Sequence, residues 1–224
     1  MNKAFPLVTL LSSSIFAWGQ GTVNFANGVL ASTHMSTNSA WGGAATGQTF
    51  GSIGSYYYAL FVADSTITSA GTPNEFGALD PLQTPGWVFT DAYATNTASP
   101  GRFSGNPTTD DVGISGRTNG SFASFVVVGW SSSVAGPDWP AAEAWIHAAM
   151  MGSQPSEGWI GASSVATSVQ LGGGIRQPGV IFGPSPGQVQ GFVVQVQAPE
   201  PSVFALSGIG AAALMLFRGR RRRG

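Results

Sequence analysis

Four groups of side chains in this sequence are of types that carry chemistry. Ser163, in Gly161-Ala162-Ser163-Ser164-Val165, has the glycine that opens a nucleophile elbow but not the one that closes it. Only His34 and His147 exist to serve as its base, so a serine triad is disfavoured. Glu143 and His147 stand four residues apart, the helical spacing at which two side chains share a metal or pair with each other. No second histidine or third ligand is close in sequence, which favours a simple Glu–His pair. Asp110 and Asp111, with Asp64, Asp80 and Asp138, offer the hard oxygens that calcium takes, although none stands in a D-x-[DN]-x-[DN]-G loop. A glycosidase needs two carboxylates facing one cleft. Any chain with this many carboxylates offers such pairs on paper, so the pattern singles out none. Trp41, Trp87, Trp139 and Trp159 lie in or beside loop-like segments, where an indole face can stack on a sugar ring or cap an apolar core. The expectation is therefore no catalytic residue and no cofactor, with calcium the one ion worth testing and the four tryptophans the candidate sugar contacts.

The elements that would position these residues are short strands separated by Gly, Pro, Ser, Thr and Asn clusters, a pattern that predicts a mainly β body, an antiparallel β-sandwich or jelly-roll-like fold. Residues 22–25 form a first strand. Tyr56 to Ala63 is aromatic or aliphatic on both alternating sides and reads as a central strand. Trp87 to Tyr93 is another, weakened by Thr90 and Asp91. Phe122 to Trp130 places Phe122, Val126, Val128 and Trp130 on one side and Ala123, Phe125 and Val127 on the other. Gln190 to Gln197 alternates less regularly and suggests a half-exposed edge. Residues 65–84 and 95–109 read as loops. Pro140 to Met151 is alanine-rich, begins on a proline and stops at Gly152, so a short helix of three turns is expected across one end of the sandwich. No repeat of solenoid or propeller length is visible.

The 224 residues include no cysteine, 32 glycines and 14 prolines, and 8% are charged. Disulfides, zinc fingers, iron–sulfur clusters and cysteine nucleophiles are excluded. The formal charge of −1 is an average over unlike parts. Five of the nine basic residues, Arg218 and Arg220 to Arg223, fall in the last seven positions. From Gln20 to Ala198 three arginines stand against nine carboxylates, a charge of −6, so nucleic acid is not an expected partner.

Both ends read as sorting segments. Met1-Asn2-Lys3 is a short positive start, Ala4 to Ala17 is largely apolar, and Ala17-Trp18-Gly19 offers small residues before a cut between Gly19 and Gln20. Residues 1–19 are therefore expected to be a signal peptide, helical while it lasts, that engages the secretion translocon. At the other end Pro199-Glu200-Pro201-Ser202 precedes the apolar run Val203 to Phe217 and the arginine tail of residues 218–224. Prolines on both sides hold Glu200 out of a helix. The fifteen-residue run would be about 22 Å long as a helix, short of a hydrocarbon core of roughly 30 Å, a gap that local thinning and snorkelling arginines can close. The arginines would stay cytoplasmic and leave the acidic body outside.

This C-terminal order of Pro-Glu-Pro, apolar helix and basic tail resembles the PEP-CTERM sorting signal of exported proteins from Gram-negative bacteria that make exopolysaccharide. The resemblance implies that Pro199, Glu200 and Pro201 are read by a membrane-embedded exosortase, that the precursor is held transiently in the inner membrane, and that the body passes to the cell surface or extracellular matrix. The body is also similar, in scattered stretches, to other proteins carrying this signal: Gln20 to Phe25, Tyr58 to Phe61, Gly101 to Phe103, and Val127 to Trp130 with the following helix. The expected role is non-enzymatic, structural or adhesive work on residues 20–198, with exopolysaccharide a candidate partner. A carbohydrate-binding or calcium-assisted adhesion module is the alternative, and a secreted hydrolase a distant third.

Overall fold

The computed structural model describes residues 19–36, 45–70, 85–105, 110–150, 153 and 156–197. In chain order its strands are β1 (Gln20–Asn24), β2 (Thr33–Ser36), β3 (Gly47–Gln48), β4 (Tyr56–Asp64), β5 (Val88–Asn96) and β6 (Phe103–Ser104). These are followed by β7 (Asp111–Thr118), β8 (Phe122–Ser131), β9 (Gly158–Ala162), β10 (Ala166–Gln170), β11 (Gly179–Val180) and β12 (Phe192–Gln197). One α-helix, α1 (Trp139–Met150), lies between β8 and β9. The protein is mainly β with a single α-helix among the described residues.

The strands form two sheets. The smaller runs β11-β1-β7, and the larger runs β3-β2-β12-β9-β8-β4-β5-β6, with β10 attached to β8. β4 and β8 pair along their full length, from Tyr56 opposite Ser131 to Asp64 opposite Ala123. Because successive side chains leave a strand on opposite faces, this pair presents two apolar surfaces, and both are covered. Tyr58, Leu60, Val62, Phe125 and Val127 meet Val23 and Ile114 of the smaller sheet, and Phe25 just after β1, in one core. Ala59, Phe61, Val126, Val128 and Trp130 face the other way and pack with Trp139, Ala142, Trp145 and Ile146 of α1. The aliphatic and aromatic run of Tyr56 to Ala63 is thus buried on both sides, as its composition demands.

The two ends of the larger sheet curl toward each other and meet at Gly101. Its N–H donates to Thr49 O at 2.8 Å, and its own carbonyl accepts from Thr33 N at 3.0 Å. Gly101 has φ +69, and a Cβ there would lie 3.0 Å from Ser32 Cβ and 3.1 Å from Thr33 O, so only glycine fits without displacement. Buried Asn27 clips the same junction. Its amide donates to Gly101 O at 2.7 Å and Ala31 O at 3.0 Å, while its side-chain oxygen accepts from Phe103 N at 2.7 Å. Asn96 performs a parallel task at the start of β4, accepting from Gly54 N and Tyr56 N and donating to Ser52 O at 2.9 Å. A bulge interrupts β5 where Thr90 and Asp91 weaken its pattern. The Thr90 hydroxyl donates to Leu60 O at 2.8 Å in place of a ladder N–H, and Asp91 turns to φ 61.

Several sequence expectations are corrected. Pairing is not wholly antiparallel, since β1 with β11 and β12 with β2 run parallel. β12 is no edge: it lies between β2 and β9, and Gln195 is buried there. Its polar residues mimic an edge because a glutamine with aliphatic neighbours on both sides can be enclosed. The helix covers the face of β4 and β8 rather than an end, its alanines allowing close approach. It begins at Trp139, whose N–H donates to the Tyr93 hydroxyl at 2.8 Å and so finds the partner that a helix start lacks. Thr95 and Asn96 belong to β5 and residues 103–104 to a strand, inside a stretch expected to be loop. Phe122 is half exposed although it shares a side with Val126.

Candidate functional site

The segment with the most specific sequence signal adjoins the last strand. β12 ends at Gln197, opposite Gly158, so Pro199 stands two residues beyond the final ladder pair. Pro199, Glu200 and Pro201, the run 203–217, and Arg218, Arg220, Arg221, Arg222 and Arg223 lie outside the described residues, as do residues 1–18 of the signal segment 1–19. Among the described residues no helix is long and apolar enough to cross a membrane. At the N-terminal boundary Gly19 and Gln20 are exposed, and β1 starts at Gln20 itself. Gly19 O accepts from Asn119 N at 3.0 Å.

The four tryptophans have separate fates. Trp139 is 5% exposed, with its indole against Phe61 at 4.9 Å, Trp130 at 5.7 Å and Phe89 at 6.3 Å between ring centroids. Those rings occupy the faces a sugar would need, so Trp139 leaves the stacking set. Trp159 is half-buried against the core shared by the sheets, and its indole nitrogen is buried without a hydrogen-bond partner. Trp87 is half-buried at the entry to β5, donating to Ser69 O at 3.4 Å. Trp41 lies outside the described residues.

The nucleophile and metal candidates also resolve. The Ser163 hydroxyl is buried, accepting from Val127 N at 3.0 Å and donating to Ser164 O at 2.8 Å, which ties β8 to the end of β9. No histidine stands beside it: His34 is on β2 and His147 on the exposed side of α1. Among the described residues no three His, Asp or Glu side chains gather that could hold a metal. Asp110 accepts from the Ser104 hydroxyl, and Asp64 pairs with Arg117 at 2.7 Å across the sheets. Asp138 immediately precedes α1, and Asp80 lies outside the described residues.

The three arginines of the body are all engaged. Arg102 donates to Asn27 O at 3.1 Å, Arg176 to Gln170 Oε1 at 3.1 Å, and Arg117 to Asp64. Burial pushes the Tyr56 and Tyr58 hydroxyls up from their ordinary value, and for Tyr58 the nearby Thr49 and Thr33 side chains counteract this only in part. Neither phenol is suited to release a proton near neutral pH. The polar side chains that sequence reading passed over are Asn27 and Asn96, and both hold backbone in place. Compared with known protein families, curated proteins and solved structures, the chain finds no match.

Proposed function

We propose that this chain is a non-enzymatic exported protein whose β-sandwich or jelly-roll-like body is delivered to the cell surface or exopolysaccharide matrix by its C-terminal tail, where it does structural or adhesive work. The observation that carries the reading is the order Pro199-Glu200-Pro201, the apolar run 203–217 and the arginine cluster at the end of the chain. Its similarity to the PEP-CTERM signal supplies the processing enzyme, an exosortase, and a transient stay in the inner membrane. Support also comes from the position of Gln197, because a cut near the motif would trim the chain close to β12 and remove no residue of the sheets. Loss of residues 1–19 would leave β1 entire. Mass spectrometry of surface material tests this: the mature protein should begin at Gln20 and end near the motif. Intact Arg220 to Arg223 on surface protein would overturn it in favour of a permanent anchor.

A carbohydrate-binding body is the second reading, favoured by the half-exposed ring of Trp87 beside the exposed Val88. Screening the mature protein on a glycan array, with and without calcium, tests it. Retention that Trp87→Ala abolishes supports the reading, and no retained sugar under either condition ends it.

A further inference from the structure

The residues around the exit of the chain form one end of the larger sheet. Gln197 lies opposite Gly158, Trp159 N donates to Ser131 Oγ at 3.0 Å, and Ser131 lies opposite Tyr56. The turn before β4 belongs to the same end, because Ser132 N donates to Ser55 O at 2.9 Å and Asn96 holds Ser52 and Gly54. This turn carries Phe50 and Ile53, each 70% exposed, and no charged residue occurs from Ala45 to Ala63 or from Thr118 to Pro137. Charged side chains stand only around it among the described residues: Glu157 beside Gly158, Asp138 after the uncharged stretch that follows Ser131, and Arg102 next to Phe103, its guanidinium donating to Asn27 O. Ile175, which is fully exposed, lies at the far end: its turn adjoins Gln170, which faces Phe122 at the start of β8. The ten residues of β8 separate the two ends by about 30 Å at roughly 3.3 Å per step.

Only residues 198–202 intervene between β12 and the apolar run 203–217, and five residues span at most about 17 Å. Resting on the reading of 203–217 as a membrane segment, we infer that the precursor lies with this end of the sheet on the bilayer surface, Phe50 and Ile53 dipping into the interface. Two apolar side chains bind lipid weakly when free. The short tether makes the encounter intramolecular, so weak insertion suffices to orient the body. The body is thereby presented to any membrane-embedded processing enzyme in one fixed attitude, with the strip after Gln197 at the lipid surface.

Because the chain contains no cysteine, a single introduced thiol reports one position. The tail-bearing protein isolated from membranes, its N-terminus verified as Gln20, is reconstituted into phosphatidylcholine vesicles carrying brominated acyl chains, with a fluorophore on Ser52→Cys or on Ile175→Cys. The inference expects both proteins to float with vesicles, the probe at 52 to lose about half its emission, and the probe at 175 to lose little. Adding Phe50→Ser and Ile53→Ser, both at exposed positions, should return the probe at 52 to the level seen at 175. Flotation with equal quenching at the two positions, or quenching at 52 unaffected by the serine pair, overturns the inference and leaves the anchor standing. Failure to float overturns the anchor, and the inference with it.

Discussion

The two faces of the β4–β8 pair are equally apolar in sequence yet are covered in different ways. One meets the smaller sheet through residues far apart in the chain, and its rim is sealed by backbone hydrogen bonds at Gly101 and by the Asn27 clip. The other meets α1, a local element that follows β8 after a short connection and is seated by tryptophan rings. A cover made of long-range backbone pairing cannot open without undoing the sheet, whereas a docked helix can lift as a unit. The contrast predicts that the sheet-covered face reports global stability and the helix-covered face a smaller, local one.

The largest expected effect is on the sheet-covered face. Phe125 is fully buried there, and Phe125→Ala should cost about 3–5 kcal/mol in urea unfolding, with helix and sheet signals lost together. Asn27→Ala comes next. It strips the Asn27 partner from Phe103 N and Ala31 O and one of two donors from Gly101 O, which keeps Thr33 N, and this loss at the buried seam should cost about 2–4 kcal/mol. On the opposite face, Trp145→Ala should cost about 2–3 kcal/mol and should act unevenly. Native-state hydrogen exchange would show α1 amides losing protection while β4 and β8 keep theirs. Uniform loss across all three elements would erase the distinction between the faces.

How much of this was legible differs along the chain. Tyr56 to Ala63 and Phe122 to Trp130 were readable because apolar residues on both alternating sides favour a strand buried on both faces. The alanine-rich helix was readable from its starting proline. β7, with Gly113, Gly116 and Arg117, and β10, with Thr167, Ser168 and Gln170, carry too few apolar residues to announce a strand, and their pairing is imposed by neighbours. β11 is two residues long and has no periodicity to read. Asn27 was signalled only as part of an Asn-Gly dipeptide, which marks a turn but says nothing of the residues it would clip 74 and 76 positions away. Among the site candidates, the sequence could not distinguish Trp139 from Trp87, because the difference lies in Phe61, Phe89 and Trp130 arriving from three other places in the chain.

The smallest effect sharpens the comparison through pH. Tyr58 lies on the sheet-covered face with its hydroxyl buried and without a hydrogen-bond partner, and burial raises its pKa above the ordinary value of 10.0. A neutral acid with a raised folded value keeps its proton in the fold after the unfolded chain has released it. Stability is therefore unaffected below pH 10 and falls as pH climbs above it, by at most about 1.4 kcal/mol per pH unit for one such group. Tyr58→Phe removes both the titration and an unpartnered polar atom, so it should be near neutral at pH 7 and should flatten the alkaline loss. Tyr56, also raised by burial, retains its own share, so a residual slope is expected. Urea unfolding of both proteins at pH 8 and pH 11 measures the difference. Identical alkaline slopes would show that the hydroxyl reaches water, and the seam at Gly101 would then be no tighter a cover than the helix.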